Sequence, residues 1–236
     1  MSNNRIICGD ATKTLQTLPD CIADLAITDP PYLCRYKDRS GRQLANDSES
    51  EAQAVLSALP ELYRVLRKDS LCILFCGWTA LPQFSRAWTD AGFRTMGQFV
   101  WKKSYASSAR YVSYHHESAY ILAKGNPPKP VEPLDDVRTW TYSGNRNHPT
   151  EKAVEVIAPL VRSFSRKGDL VIDPFAGSGS TAVAAALNGR RTIGIELEAC
   201  YCDLARQRLD GVQRYLSGKA GGFASEAAPV GLPMTA

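Results

Sequence analysis

Asp173-Pro174-Phe175-Ala176-Gly177-Ser178-Gly179-Ser180-Thr181 follows the apolar run 169–173 (DLVID) and leads into the alanine-rich stretch 180–189. A short continuous apolar run, then glycines, then strong helix formers is the pattern of a buried strand turning into a helix. Glycine at such a turn lets the backbone approach a ligand closely, with the helix N-terminus beside it. Working outward, apolar, β-branched runs recur at 5–8, 23–28, 71–76, 95–102, 118–123, 169–173 and 191–196. Helix-like stretches at 49–68, 81–92, 150–165, 180–189 and 198–216 lie among them. Seven candidate strands alternating with helices predict an α/β fold with a doubly wound, mainly parallel sheet.

The length of 236 residues suits one domain of ordinary size. No apolar run is long enough for a transmembrane helix, and the N-terminal residues MSNNRIICGDATKTL lack a signal-peptide core, so a cytoplasmic protein is expected. The net charge of +4 permits a nucleic-acid partner without demanding one. Seven cysteines contain no C-x-x-C pair, which argues against a zinc site and a disulfide framework. Residues 33–50 and 124–149 are polar or proline-rich, without a helix or strand period, and read as functional loops. Residues 217–236 are small and Gly/Ala/Pro-rich and read as a flexible tail after a domain spanning 1–216.

The glycine turn has only two glycines, so the G-x-G-x-x-G dinucleotide fingerprint is incomplete. The next strand ends at Glu196, 17 residues after Gly179, where a carboxylate can accept from ribose hydroxyls. A turn and an acid at this spacing suit an adenosine cofactor. A second motif, Asp29-Pro30-Pro31-Tyr32, follows the strand run 23–28. Two prolines fix φ and remove two N–H donors, gathering an acid, a rigid carbonyl and an aromatic ring at a strand's C-terminal end.

Together the two motifs carry a resemblance to a known family. A strand ending in DPPY, with a strand ending in DPFAGSGST some 140 residues later, resembles the DNA amino-methyltransferases, and the motif order resembles their β class. Cys8-Gly9-Asp10, ELYRVLRKDS, FVWKKS, HHESAYILAKG, His148-Pro149-Thr150-Glu151-Lys152 and IGIELEACYCDLARQRL agree, so the resemblance spans residues 5–216. It implies a circularly permuted Rossmann-like methyltransferase fold, with a seven-stranded, mainly parallel sheet and helices on both faces. The cofactor it implies is S-adenosyl-L-methionine, and no metal is required.

The resemblance also distributes roles. The turn Asp173, Phe175, Ala176, Gly177, Ser178 and Gly179 would hold the cofactor's methionine part, Glu196 its ribose, and Asp10 would sit near its adenine. His148, Thr150 and Lys152 would close the pocket, Lys152 as a carboxylate contact or as a solvated helix-start lysine. Asp29, also placed beside the cofactor, and the Pro30 carbonyl would accept hydrogen bonds from an exocyclic base amine and free its lone pair. Pro31 would stiffen the loop, and Tyr32 would stack on a flipped-out base. DPPY rather than SPPY favours adenine N6 over cytosine N4 in this family.

Recognition falls to the irregular segments. Arg35, Lys37, Arg39 and Arg42, with Lys102, Lys103, Arg110, Arg138 and Arg146, are the candidate contacts to double-stranded DNA. Residues 33–44 and 101–147 together hold eleven Lys and Arg against five Asp and Glu, a larger excess than that of the whole chain. So small a recognition surface predicts a homodimer, and a palindromic site with it. The competing readings are an N4-cytosine enzyme, a catalytically silent DNA-binding regulator and a nicotinamide-dependent oxidoreductase.

Overall fold

A computed structural model describes residues 4–33, 52–107, 111–144 and 151–218. The strands are β1 (Arg5–Cys8), β2 (Ala23–Thr28), β3 (Leu66–Phe75), β4 (Arg94–Lys102), β5 (His116–Lys124), β6 (Val137–Thr139), β7 (Leu170–Asp173) and β8 (Arg191–Glu196). The helices are α1 (Ala11–Gln16), α2 (Ala52–Leu56), α3 (Ala58–Val65), α4 (Leu81–Asp90), α5 (Val154–Phe164), α6 (Ser180–Leu187) and α7 (Ala199–Leu216).

The strands form one sheet in the order β1-β8-β7-β2-β3-β5-β4-β6. The run from β1 to β3 is parallel throughout, β5 is antiparallel to both β3 and β4, and β6 lies parallel to β4. The sheet is thus mainly parallel as expected, with eight strands among the described residues rather than seven. The additional strand, β6, spans three residues within the loop 124–149, too few to show a period.

Period-two alternation sends successive side chains to opposite faces, and the two faces carry separate cores. Leu25, Ile27, Ile73, Phe75 and Val171 pack with α5, α6 and α7. Ala26, Cys72, Leu74 and Ile172 pack with α1, α3 and α4. Helix α6 is wedged between α5 and α7, and Ala182–Ala186 are buried around its whole circumference. Small side chains there let three helices share one face of the sheet.

Over its described residues, 52–68, the stretch 49–68 is two helices and the start of a strand rather than one helix. Pro60 cannot donate to the Leu56 carbonyl, so α2 and α3 separate at Ser57. After Val65, Lys124 Nζ donates to the carbonyls of Tyr63 (2.6 Å) and Leu66 (2.6 Å) and ends the helix. Lys124, part of the basic excess counted above, is therefore a helix cap.

The chain leaves β7 for β8 on one side of it, and leaves β2 for β3 on the other. The C-terminal ends of β2 and β7 therefore flank a topological switch point, where open α/β sheets leave a crevice for ligands. Asp29 and Asp173 stand at those two ends.

Candidate active site

The turn after β7 is built around its glycines. Gly177 and Gly179 have φ of 51° and 84°. An added Cβ on Gly179 would stand 2.8 Å from Ala205 Cβ, so α7 lies against the turn. The Ala176 amide donates to the Ile195 carbonyl (2.8 Å), and the Gly177 amide donates to Glu196 Oε2 (2.8 Å). Glu196 Oε1 accepts from the Glu198 amide (2.8 Å). Each oxygen keeps a second lone pair, so the carboxylate is oriented and can still accept from a diol. Burial pushes its pKa up, and these amides oppose the rise.

Cys8 is the register partner of Glu196, and the Gly9 amide donates to the Glu196 carbonyl (2.8 Å). Asp10 therefore sits beside Glu196, where its Oδ1 caps α1 by accepting from the Lys13 amide (2.9 Å). Phe175 is half-buried next to this edge. Asp173 is buried, with its pKa raised to about 7 by desolvation, against donors at the Thr181 side chain and the Phe175 amide. A left-handed glycine turn, a fixed carboxylate at the neighbouring strand end and a half-buried aromatic ring fit an adenosine-bearing cofactor with a charged amino-acid end.

At the end of β2, Pro30 is buried and Pro31 and Tyr32 are half-buried. The Tyr32 hydroxyl donates to Asp29 Oδ1 (2.8 Å). Asp29 Oδ2 is ion-paired with Lys152 Nζ. Lys152, 9% exposed, lies in the extended lead-in to α5 and not in its first turn. Its ammonium stands 5.6 Å from the Tyr32 ring centroid, 5.3 Å from Phe75 and 6.0 Å from Trp140. The solvated helix-start lysine is thereby excluded. Burial pushes the Asp29 carboxyl up, Lys152 and Tyr32 pull it back, and Glu117 adds to the rise.

The far wall of this pocket comes from the antiparallel half of the sheet. Lys103 is ion-paired with Glu117, donates to Ser107 Oγ (2.8 Å) and lies over the Tyr105 and Trp140 rings. At 5% exposure it cannot serve as the solvent-facing DNA contact expected from sequence. A lysine between two aromatic rings and a carboxylate belongs to the pocket wall. Lys102 is exposed on β4, and Arg138 is half-buried on β6 beside it. Arg35, Lys37, Arg39, Arg42, Arg110 and Arg146, with His148 and Thr150, lie outside the described residues.

Several site-building residues carry no local sequence signal. An added Cβ on Gly77 would stand 2.9 Å from Tyr32 Cδ2, so Gly77 is the floor on which the Tyr32 ring rests. Arg208 of α7 lies 3.0 Å from Glu151 Oε1 and donates to the Ser178 carbonyl and hydroxyl oxygens (both 2.8 Å). It ties the glycine turn to the segment that carries Lys152. Cys76 is buried beside these groups with its thiol pushed up to about 12, which leaves it inert as a nucleophile.

Residues 23–207 match the DNA methylase family of N6/N4 methyltransferases. The candidate methylase YubD of Escherichia coli (strain K12) is 50% identical over 89% of this chain and 92% of its own length. The DNA adenine methyltransferase YhdJ of the same organism is 27% identical over 89% of this chain and 84% of its own. Among solved structures, the candidate DNA modification methylase TTHA0409 of Thermus thermophilus, in complex with S-adenosyl-L-methionine, is similar with a TM-score of 0.70. It is 25% identical and covers 89% of this chain and 94% of its own. The cytosine-N4-specific PvuII DNA methyltransferase shares the fold, with a TM-score of 0.69 at 18% identity over 92% and 94%. Among the described residues no helix is long and apolar enough to cross a membrane. The chain belongs to the N6/N4 DNA methylase family, and its cofactor is S-adenosyl-L-methionine.

Proposed function

We propose that the protein is a site-specific DNA methyltransferase that methylates N6 of an adenine flipped out of double-stranded DNA. The observation that carries this reading is Asp29: a half-buried carboxylate, oriented by Tyr32 and Lys152, at the head of a DPPY rather than an SPPY turn. The similarity to an enzyme named for DNA adenine methylation supports the choice of base.

S-adenosyl-L-methionine supplies an electrophilic methyl group on a sulfonium sulfur. Glu196 would hold its ribose hydroxyls, the Gly177–Gly179 backbone its methionine part, and Phe175 and Asp10 would flank it, Asp10 towards the adenine. The exocyclic amine of a base is a weak nucleophile because its lone pair is delocalised into the ring. Accepting hydrogen bonds from that amine at Asp29 and at the Pro30 carbonyl favours a pyramidal nitrogen with a localised lone pair, an effect of positioning and electrostatics. The nitrogen has one proton to lose after transfer, and Asp29, whose proton affinity burial raises, accepts it. The Tyr32 ring, backed by Gly77, stacks on the flipped base and offsets part of the unstacking cost. The homodimer expected from the sequence belongs to this reading, and light scattering on the purified chain tests it.

Tritiated cofactor, DNA from methylation-deficient cells and mass spectrometry of the digested nucleosides test the choice of base. N6-methyladenine is the expected product. N4-methylcytosine without N6-methyladenine overturns the adenine assignment.

A further inference from the structure

Beyond the target pocket, the same edge of the sheet carries a pair of rings that no step above uses. Trp78 is 61% exposed, and its ring stacks on Tyr114 with centroids 5.6 Å apart and planes 9° from parallel. Of the four tryptophans, Trp88 and Trp101 are buried and Trp140 is half-buried, so Trp78 alone presents most of its ring to solvent. Trp78 follows Gly77, the residue on which the Tyr32 ring rests. The β3–β5 register runs from Phe75 opposite Ala119 to the Cys76 amide on the Ser118 carbonyl, so the chain enters Trp78 at the level of the first residues of β5. There His116 is exposed opposite the exposed Lys102, and His115 is exposed beside it.

We propose that Trp78 and Tyr114 form a stacking platform for a nucleobase adjoining the flipped-out target, an inference that rests on the reading above. A flat aromatic pair with one open face matches the π-face that every base offers, so such a platform is tolerant of sequence. Extruding one base leaves a neighbour without a stacking partner, and a ring one residue beyond the floor of the target pocket replaces that partner. Lys102 stands where it can meet a backbone phosphate of the same strand. The platform contributes binding of the distorted DNA rather than chemistry on the methyl group.

The test compares Trp78→Ala and Trp78→Phe with the wild type. Trp78→Ala raises KM for unmethylated genomic DNA on the order of ten-fold, with kcat and calorimetric cofactor affinity little changed; Trp78→Phe recovers most of the loss. Titrating a random-sequence duplex oligonucleotide quenches the tryptophan emission of the wild type, and Trp78→Phe removes most of the quench, leaving the share of Trp140. An unchanged KM in Trp78→Ala, an undiminished quench in Trp78→Phe, or loss of cofactor binding in Trp78→Ala overturns the platform. Absence of methylation by the wild type strikes the preceding reading instead, and the quench then still decides the platform.

Discussion

Asp29-Pro30 and Asp173-Pro174 are the same dipeptide at the ends of neighbouring strands, and their carboxyls meet opposite circumstances. Burial pushes both up. Asp29 has an ammonium against one oxygen and a phenol against the other. Asp173 has neutral donors, a backbone amide and a hydroxyl, and its pKa rises to about 7. The turns that follow differ in the same sense: prolines stiffen the first, and glycines with positive φ bend the second. At Asp29 a buried cation opposes the rise that burial causes; at Asp173, beneath the glycine turn, only dipoles do.

The sharpest way to break this comparison is Asp29→Ala. Turnover is expected to fall on the order of a thousand-fold with cofactor affinity by calorimetry nearly unchanged, and retained turnover removes Asp29 from the chemistry. Lys152→Met then erases the difference between the two acids by leaving the half-buried Asp29 with a neutral donor and no cation. Breaking such a pair costs about 3–5 kcal/mol, read by urea unfolding, and the acidic limb of the rate–pH profile moves to higher pH. An unmoved limb shows that Lys152 does not hold Asp29 ionised.

Gly179→Ala probes the bendable turn. A φ of 84° and Ala205 at 2.8 Å oppose any Cβ there, so a loss of about 1–3 kcal/mol in stability is expected, with weaker cofactor binding. Asp173→Asn tests the second acid. The folded-state pKa of Asp173 lies above its unfolded value, so the folded chain binds the extra proton between them. Its stabilising contribution is complete below about pH 4 and is lost as pH rises to about 7. Chemical denaturation from pH 4 to 8 reads this slope, which Asp173→Asn flattens; an unaltered slope sinks the assignment.

The seven apolar runs read from the sequence all fall on strands: β2, β3 and β7, in the parallel half, are legible as continuous hydrophobic stretches, while β4 and β5 pair antiparallel. Helix α1 and strand β6 were not legible, since six and three residues hold too little of a period. The two Asp-Pro motifs could be read because their residue types carry their own backbone geometry. What supports them could not. Lys152 meets Asp29 across 123 residues, and Lys103 meets Glu117 across 14. Lys103 is buried while its neighbour Lys102 is exposed, a consequence of strand alternation in a loop-bound register that spacing alone does not fix. Arg208 reads like the partly exposed Arg206 two positions earlier, and only the packing of α7 against the glycine turn tells them apart.

The register that sets Leu25 opposite Val171 has a consequence for synthesis. A ribosome delivers β2 and the DPPY turn early, and β7 and β8 only near the end. Until they arrive, β2 lacks one hydrogen-bonding neighbour, and the crevice lacks one of its walls. Pairing across so long a span is slow because loop-closure entropy is lost before any contact repays it. A nascent chain stalled before Leu170 would therefore carry an open apolar strand edge, the kind that chaperones shield. The crevice between β2 and β7 exists only once β7 has joined the sheet.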